Sequence, residues 1–326
     1  MTFRRAARIV TLVLLVMPLA AGAQPAVRIP RIGVLSPAPA AAAGGSPYDA
    51  FREGLRELGY VEGKNIVLDF RFAGGKYERL PELAADLVRL QVDVILTDGG
   101  NTTARAALNA TRTIPIVMGT VNDPVANGLV ASLTRPGGNV TGFTFPFVEL
   151  AGKRLQLLKE MVPAVTRVAV LWDQANGPLQ FHAAEAAAPS LGVQLESLPV
   201  RGPADLDAAF EAASRHRAGA LLQASSRMLS DNRKAIVERA LKHRLPGMFE
   251  PGFPEAGGLA SYGPNVRDNF RRAAVYVDKI LQGTRPGDLP VEQPARFYLV
   301  INLKTARALG LTIPPSVLVQ ATKIIE

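Results

Sequence analysis

The chain has 326 residues, 48% of them hydrophobic and 20% charged, an ordinary globular composition with material for two domains at about 100–200 residues each. It contains no cysteine, which excludes a disulfide scaffold and thiolate metal sites. The net charge of +9 and pI near 10.0 come from basic residues scattered among acids rather than gathered in a patch, so no nucleic-acid partner is expected.

Residues 1–23 read as a secretory signal peptide, cleaved after Ala23. Arg4, Arg5 and Arg8 form a basic start, 9–20 is an uncharged apolar run, and Ala21, Gly22 and Ala23 supply a small-residue cleavage site. The run is shorter than the roughly 20 residues a membrane span needs. An exported lipoprotein carries its lipid on a cysteine at the cleavage site. With none present, no lipid anchor is expected, and the mature chain should diffuse freely in a Gram-negative periplasm.

From Arg31 onward, short β-rich runs alternate with helical ones. Strands are expected at 31–36, 66–72, 92–97 and 114–118. Helices are expected at 48–58, 78–90 and 102–110, each with apolar residues at helical spacing. The same grammar restarts with a helix at 150–161 and a strand at 167–172. It continues through a helix at 179–187, a strand at 193–200, a helix at 204–216, a strand at 218–223, a helix at 230–243 and a strand at 246–249. Alternation of this kind implies an α/β fold with parallel sheets covered on both faces. A third stretch holds strands at 259–262, 289–293 and 297–301 and helices at 266–281 and 303–309. It is too short for a third lobe of this kind, so it should complete the first two.

Catalytic signatures are missing. The sequence holds no G-x-S-x-G, Walker A, H-E-x-x-H or G-x-G-x-x-G pattern, and its three histidines, His182, His216 and His243, fall in three different expected helices. No enzyme activity, metal or cofactor is expected. The candidate residues lie instead at the carboxyl ends of strands, where open α/β sheets bind ligands. In the first half these are Ser36, then Asp98, Gly99, Asn101 and Thr102, then Thr120, Asn122 and Asp123. Two glycines before a helix allow close approach of the backbone to a carboxylate, although the same residues also make a turn and a helix cap. Asp123 followed by Pro124 reads as a helix start. In the second half the candidates are Trp172, Asp173, Ser225 and Glu250. Trp172 is expected as a stacking lid or as a core residue, and Glu250 as a partner for an ammonium group or as a solvated side chain.

The run NDPVANGLVASLTRPGGNVTG at 122–142, with GLRELGYVEGKNI at 54–66 and NLKTARALGLTIPPSVLVQA at 302–321, resembles the ABC-transporter substrate-binding family related to tryptophan and tyrosine uptake receptors. The resemblance covers essentially the whole mature chain, with a departure in the alanine-rich loop 40–45. It implies a type I periplasmic-binding fold: two doubly wound parallel-sheet lobes joined by a hinge with three crossovers, and a small solute in the cleft between them. The implied lobes are 28–145 plus 263–296 and 146–262 plus 297–326. The implied partners are the solute, possibly an aromatic amino acid, and an ABC permease with its ATPase in the inner membrane, served by a monomer. A ligand sensor for a separate signalling receptor is the alternative.

Overall fold

The computed structural model describes residues 28–40 and 47–326; the expected signal peptide and residues 41–46 lie outside them. The first sheet has five strands: β1 (Arg31–Ser36), β2 (Val67–Phe72), β3 (Val94–Thr97), β4 (Ile116–Val121) and β5 (Val140–Thr144). They lie in the order β2-β1-β3-β4-β5, all parallel. The helices returning between them are α1 (Pro47–Glu57), α2 (Leu80–Arg89) and α3 (Asn101–Ala110). Alternation along β1 sends Ile32 and Val34 into one core with Phe51 and Leu55 of α1. Leu35 goes into another with Leu83 and Leu87 of α2.

After α4 (Phe147–Met161) the second sheet begins. It contains β6 (Arg167–Asp173), β7 (Gln194–Val200), β8 (Ala220–Gln223), β9 (Gly247–Phe249), β10 (Ala260–Gly263), β11 (Tyr298–Asn302) and β12 (Lys323–Ile325). The order is β12-β11-β10-β9-β8-β6-β7. All pairs are parallel except β10 with β11. One face packs on α4 and α5 (Leu179–Ala187). The other packs on α6 (Leu206–Arg215) and α8 (Arg233–Lys242), with the short α7 (Arg227–Asp231) leading into α8. The chain passes between the lobes three times: from β5 to α4, from β10 to α9 (Val266–Leu281), and from α9 back to β11. Helix α9 returns to the first lobe, along α1 and over β4, and α10 (Leu303–Ala308) and α11 (Pro315–Leu318) close the second. Among the described residues, no helix is long and apolar enough to cross a membrane.

Several elements depart from the sequence reading, each for a local reason. β5 was not expected because Gly142 interrupts it. That glycine sits at φ +132°, and a Cβ there would lie 2.3 Å from the Met118 carbonyl oxygen, so the close approach of β4 demands it. The expected helix 230–243 starts earlier and is broken at Asn232, which ends α7 and begins α8. The expected strand at 289–293 is a single bridge, Glu292 to Phe143, beside a proline that has no N–H to donate. Asp123–Pro124 opens no helix. Asp123 adopts φ +37°, its Oδ1 accepts from the Ala126 N–H at 3.0 Å, and only turns follow. The short α11 and β12 carried no periodicity long enough to detect.

The contact between α1 and α9 is close because Gly54 has no side chain. A Cβ at that position would lie 2.5 Å from the Arg271 carbonyl oxygen and 2.9 Å from the Ala274 Cβ. Glycine-to-alanine in a helix interior ordinarily stabilises by roughly 1 kcal/mol. Here the sign should reverse: Gly54→Ala is expected to lower stability by about 1–3 kcal/mol, the usual cost of overpacking. A rise in the thermal unfolding midpoint of this variant would show that the two helices are not in tight contact.

Candidate functional site

In both sheets the strand order reverses beside the first strand of the lobe, β1 with β3 in one and β6 with β8 in the other. Such switch points open a crevice at the strands' carboxyl ends. The two crevices face each other and enclose a cavity of about 300 Å³, at the small end of the usual range for ligand sites.

The first lobe contributes the turn at 98–102 and the start of α3. Gly99 and Gly100 adopt φ +93° and +85°, which lets the backbone turn sharply into the helix. Gly100 is the N-cap and no side chain caps the helix. The first-turn N–H groups, which have no acceptor within the helix, therefore carry their partial positive charge to the cavity wall. The Asn101 Oδ1 is turned aside to accept from the Asn122 N–H at 3.0 Å, and Asn127 holds the Asn122 carbonyl at 3.2 Å. Thr120, at the end of β4, and Asn122 complete this wall. Phe147 and Val148 of α4, with Leu179 of α5 and Val266 of α9, form an apolar side. Phe147 is held by stacking on Phe145, with ring centroids 4.2 Å apart.

The second lobe contributes the segment 175–177, Gln180, Ser225, Ser226, Arg227, Ser230 and Glu250. Gln180 and Ser225 exchange two hydrogen bonds of 2.8 Å, side chain to backbone. Ser226 caps α7, its hydroxyl accepting from the Leu229 N–H at 3.1 Å. That cap aims Arg227 back across the cavity. Arg227 Nη1 donates to Asp98 Oδ2 of the first lobe at 2.7 Å, while its Nε pairs with Asp231 at 3.1 Å. The same Asp98 oxygen accepts from the Tyr48 hydroxyl at 2.6 Å and from Ser36 at 3.2 Å.

Charge is buried on both sides. Burial and the Asp98 charge push the Tyr48 hydroxyl well above its ordinary pKa. Burial pulls on the Arg227 guanidinium, but Asp98, Tyr48 and Asp231 outweigh it and keep it firmly charged. Behind the cavity, Arg154 of α4 is 1% exposed. Its Nε donates to the Tyr262 carbonyl and its Nη1 to the Ser225 hydroxyl, both at 2.7 Å. Burial lowers its pKa to about 10, against a partial pull upward from Glu250. Burial raises the Glu250 carboxyl, with the Ser230 hydroxyl and Arg154 opposing it. No group of three or more His, Cys, Asp or Glu residues able to hold a metal occurs among the described residues.

Of the residues singled out in the sequence, Asp98, Gly99, Asn101, Thr102, Thr120, Asn122, Ser225 and Glu250 line the cavity together. Four do not. Ser36 is fully buried behind Asp98. Asp123 faces out as a turn cap. Asp173 is buried capping the turn at 174–176, where its Oδ1 accepts from the Ala175 N–H at 2.9 Å. Trp172 corrects the expectation of a lid. It shares the α5 face of β6 with Val168 and Val170, opposite Pro199 of β7, and its Nε1 donates to Ser197 Oγ at 2.8 Å. The aromatic ring on the cavity is Phe147. Arg227, Gln180, Asn127 and Phe147 were missed. The signal for Arg227 was its place just after the Ser226 cap at a strand's carboxyl end. Arg154 was also missed, although it interrupts the apolar stripe of Leu150, Ala151, Leu155 and Leu158, where a charged residue is out of pattern.

A sequence model of the family described as "ABC transporter substrate binding protein" matches residues 41–325. The chain is 27% identical over 264 residues to a tyrosine-binding protein of Clostridioides difficile (strain R20291), covering 80% of this chain and 75% of that one. A crystal structure of an ABC domain from Streptococcus pneumonia in complex with L-Trp is 26% identical and superposes with a TM-score of 0.82, over 91% of this chain and 99% of that one. The ligand-free, open structure of a substrate binding protein with adhesive properties from Clostridium difficile is 25% identical, with the same coverage, but its TM-score is 0.65. At nearly the same identity and the same coverage, the chain superposes better on the L-Trp complex than on the open protein.

The raised Glu250 pKa has a consequence for stability. An acid whose pKa is higher folded than unfolded contributes stability that is present below its ordinary value, 4.5 here, and lost as pH rises through the folded value. The thermal midpoint of Glu250→Gln relative to the unsubstituted protein should therefore increase as pH rises above 4.5. A difference that stays flat across this window would mean that the carboxyl is solvated.

Proposed function

The chain belongs to the ABC transporter substrate-binding protein family, a family of non-enzymatic solute receptors with the two-lobed type I periplasmic-binding fold, and from that premise we propose that it captures a zwitterionic amino acid, aromatic by preference, between its lobes. The observation that carries this reading is the uncapped start of α3 facing the buried Glu250 across one cavity. A carboxylate suits free helix N–H groups, and an ammonium suits a buried carboxylate that lacks a full counter-charge. Asp98 and Arg227 neutralise each other, so the lining favours a solute of no net charge. Among the described residues, Arg227 is the one cation on the lining, which disfavours phosphates and dicarboxylates. Phe147, Val148, Leu179 and Val266 offer the apolar wall that a ring would occupy. The tyrosine- and L-Trp-binding relatives support the aromatic preference.

In this reading the lobes are 28–145 plus 263–296 and 146–262 plus 297–326, a division supported by the packing of α9 on α1. The protein is exported through its N-terminal segment, works in the periplasm as an unlipidated monomer, and hands its solute to a membrane permease coupled to an ATPase.

Calorimetric titration tests the solute class. L-tryptophan or L-tyrosine should bind. Tryptamine and indole-3-propionate, each lacking one charged end of tryptophan, should bind at least about tenfold more weakly, or roughly 1.4 kcal/mol. Phe147→Ala should weaken binding by about 1–3 kcal/mol, as a truncated anchor does, and Trp172→Ala should leave affinity unchanged. No heat with any aromatic amino acid, or equal affinity for the trimmed analogues, would rule out the zwitterion reading.

A further inference from the structure

The lobes make a direct ionic contact that involves no solute. Arg227 reaches Asp98 over 2.7 Å from a position 129 residues away in sequence and in the opposite lobe. Both ends are prepared for the contact. The Tyr48 and Ser36 hydroxyls hold the Asp98 carboxylate from within the first lobe. Asp231 and the Ser226-capped start of α7 hold the guanidinium from within the second. Little water reaches either group: the side chains are 13% and 4% exposed. A pair shielded to this degree is screened weakly by salt. Its partners stay bonded within their own lobes when the lobes part, so opening exchanges only the cross-lobe bond for water. Nearby, Tyr77 of the first lobe buries a hydroxyl with no hydrogen-bond partner, close enough to Asp173 and Asp231 of the second lobe, and to Asp98, to feel their charges. The Arg227 guanidinium thus lies between a carboxylate of each lobe, Asp98 and Asp231. Without Arg227, closing the lobes would bring Asp98 toward like charges.

We propose that the Asp98–Arg227 pair is an interlobe latch, which sets the population of the closed form before any solute binds. Arg227 is in this sense a positioning residue: it acts on lobe orientation through Asp98. The inference rests on the interlobe reading of the cavity but not on the identity of the solute, and its test uses no solute.

Because the chain has no cysteine, nitroxide labels can be placed cleanly on the mature protein at Glu82→Cys in α2 and Glu211→Cys in α6, both exposed. Electron–electron double resonance then reads the distance between the lobes. The solute-free protein should show a closed-form distance population. Both Arg227→Gln and Asp98→Asn should reduce the ratio of closed to open by about fivefold or more, the lower end of typical coupling between states. Circular dichroism at the measuring temperature identifies folded variants, and either variant alone suffices if the other fails to fold. A folded variant whose distance distribution matches that of the unsubstituted protein would overturn the latch, whatever calorimetry shows for amino acids.

Discussion

A parallel strand cannot be joined to its neighbour by a tight turn; the chain must return over the face of the sheet, usually as a helix. This places the carboxyl ends of β1–β5 in the first lobe and of β6–β10 in the second, with the helix starts that follow them, on one side. The residues that meet there are drawn from distant parts of the sequence: Asp98 after β3, Thr120 at the end of β4, Ser225 after β8 and Glu250 after β9. Three passages of the chain between lobes bring the two such edges face to face. The cavity, its helix-end charge and its buried carboxylate follow from that arrangement, and no special loop is needed to create them.

The two walls handle charge differently. On the first, backbone amides at α3 supply a diffuse positive end beside the buried Asp98 carboxylate. On the second, full charges are buried. Arg154 sits behind the serine wall and Glu250 on the cavity itself, each shifted by burial in the direction that disfavours its ionised form. Ser225 and Ser230, both on the cavity lining, are their hydroxyl partners. Arg154 also bonds the carbonyl of Tyr262, next to the crossover into α9, and a Cβ on Gly263 would lie 3.2 Å from its Nη2. The buried arginine thus ties the serine wall to one of the segments that cross between the lobes.

Much of this was legible in the sequence because the strands are buried on both faces and read as apolar runs, RIGVLS for β1 and RVAVLW for β6. Helix α9 coincides with its expected span because Phe270, Ala273, Ala274 and Val277 make one continuous apolar face. What sequence pattern could not give was the direction of single side chains at strand ends. Trp172 and Asp173 end the same strand, yet one lies against β7 and the other caps a turn. Pairing across the lobes was equally invisible. Nothing local marks Arg227 as the partner of Asp98, because that contact exists only once both lobes are built. β5 was missed for a related reason, the need for Gly142 arising from the backbone of β4 rather than from its own neighbours.

The account turns on a solute lying between the lobes with its carboxylate on the first turn of α3. A crystal structure with L-tryptophan or L-tyrosine bound tests this most directly. The account predicts carboxylate oxygens within hydrogen-bond distance of the backbone N–H groups of Asn101 and Thr102, the ammonium toward Glu250, and the ring against Phe147. A carboxylate seated instead on Arg227, with the Asp98 contact broken, would contradict it.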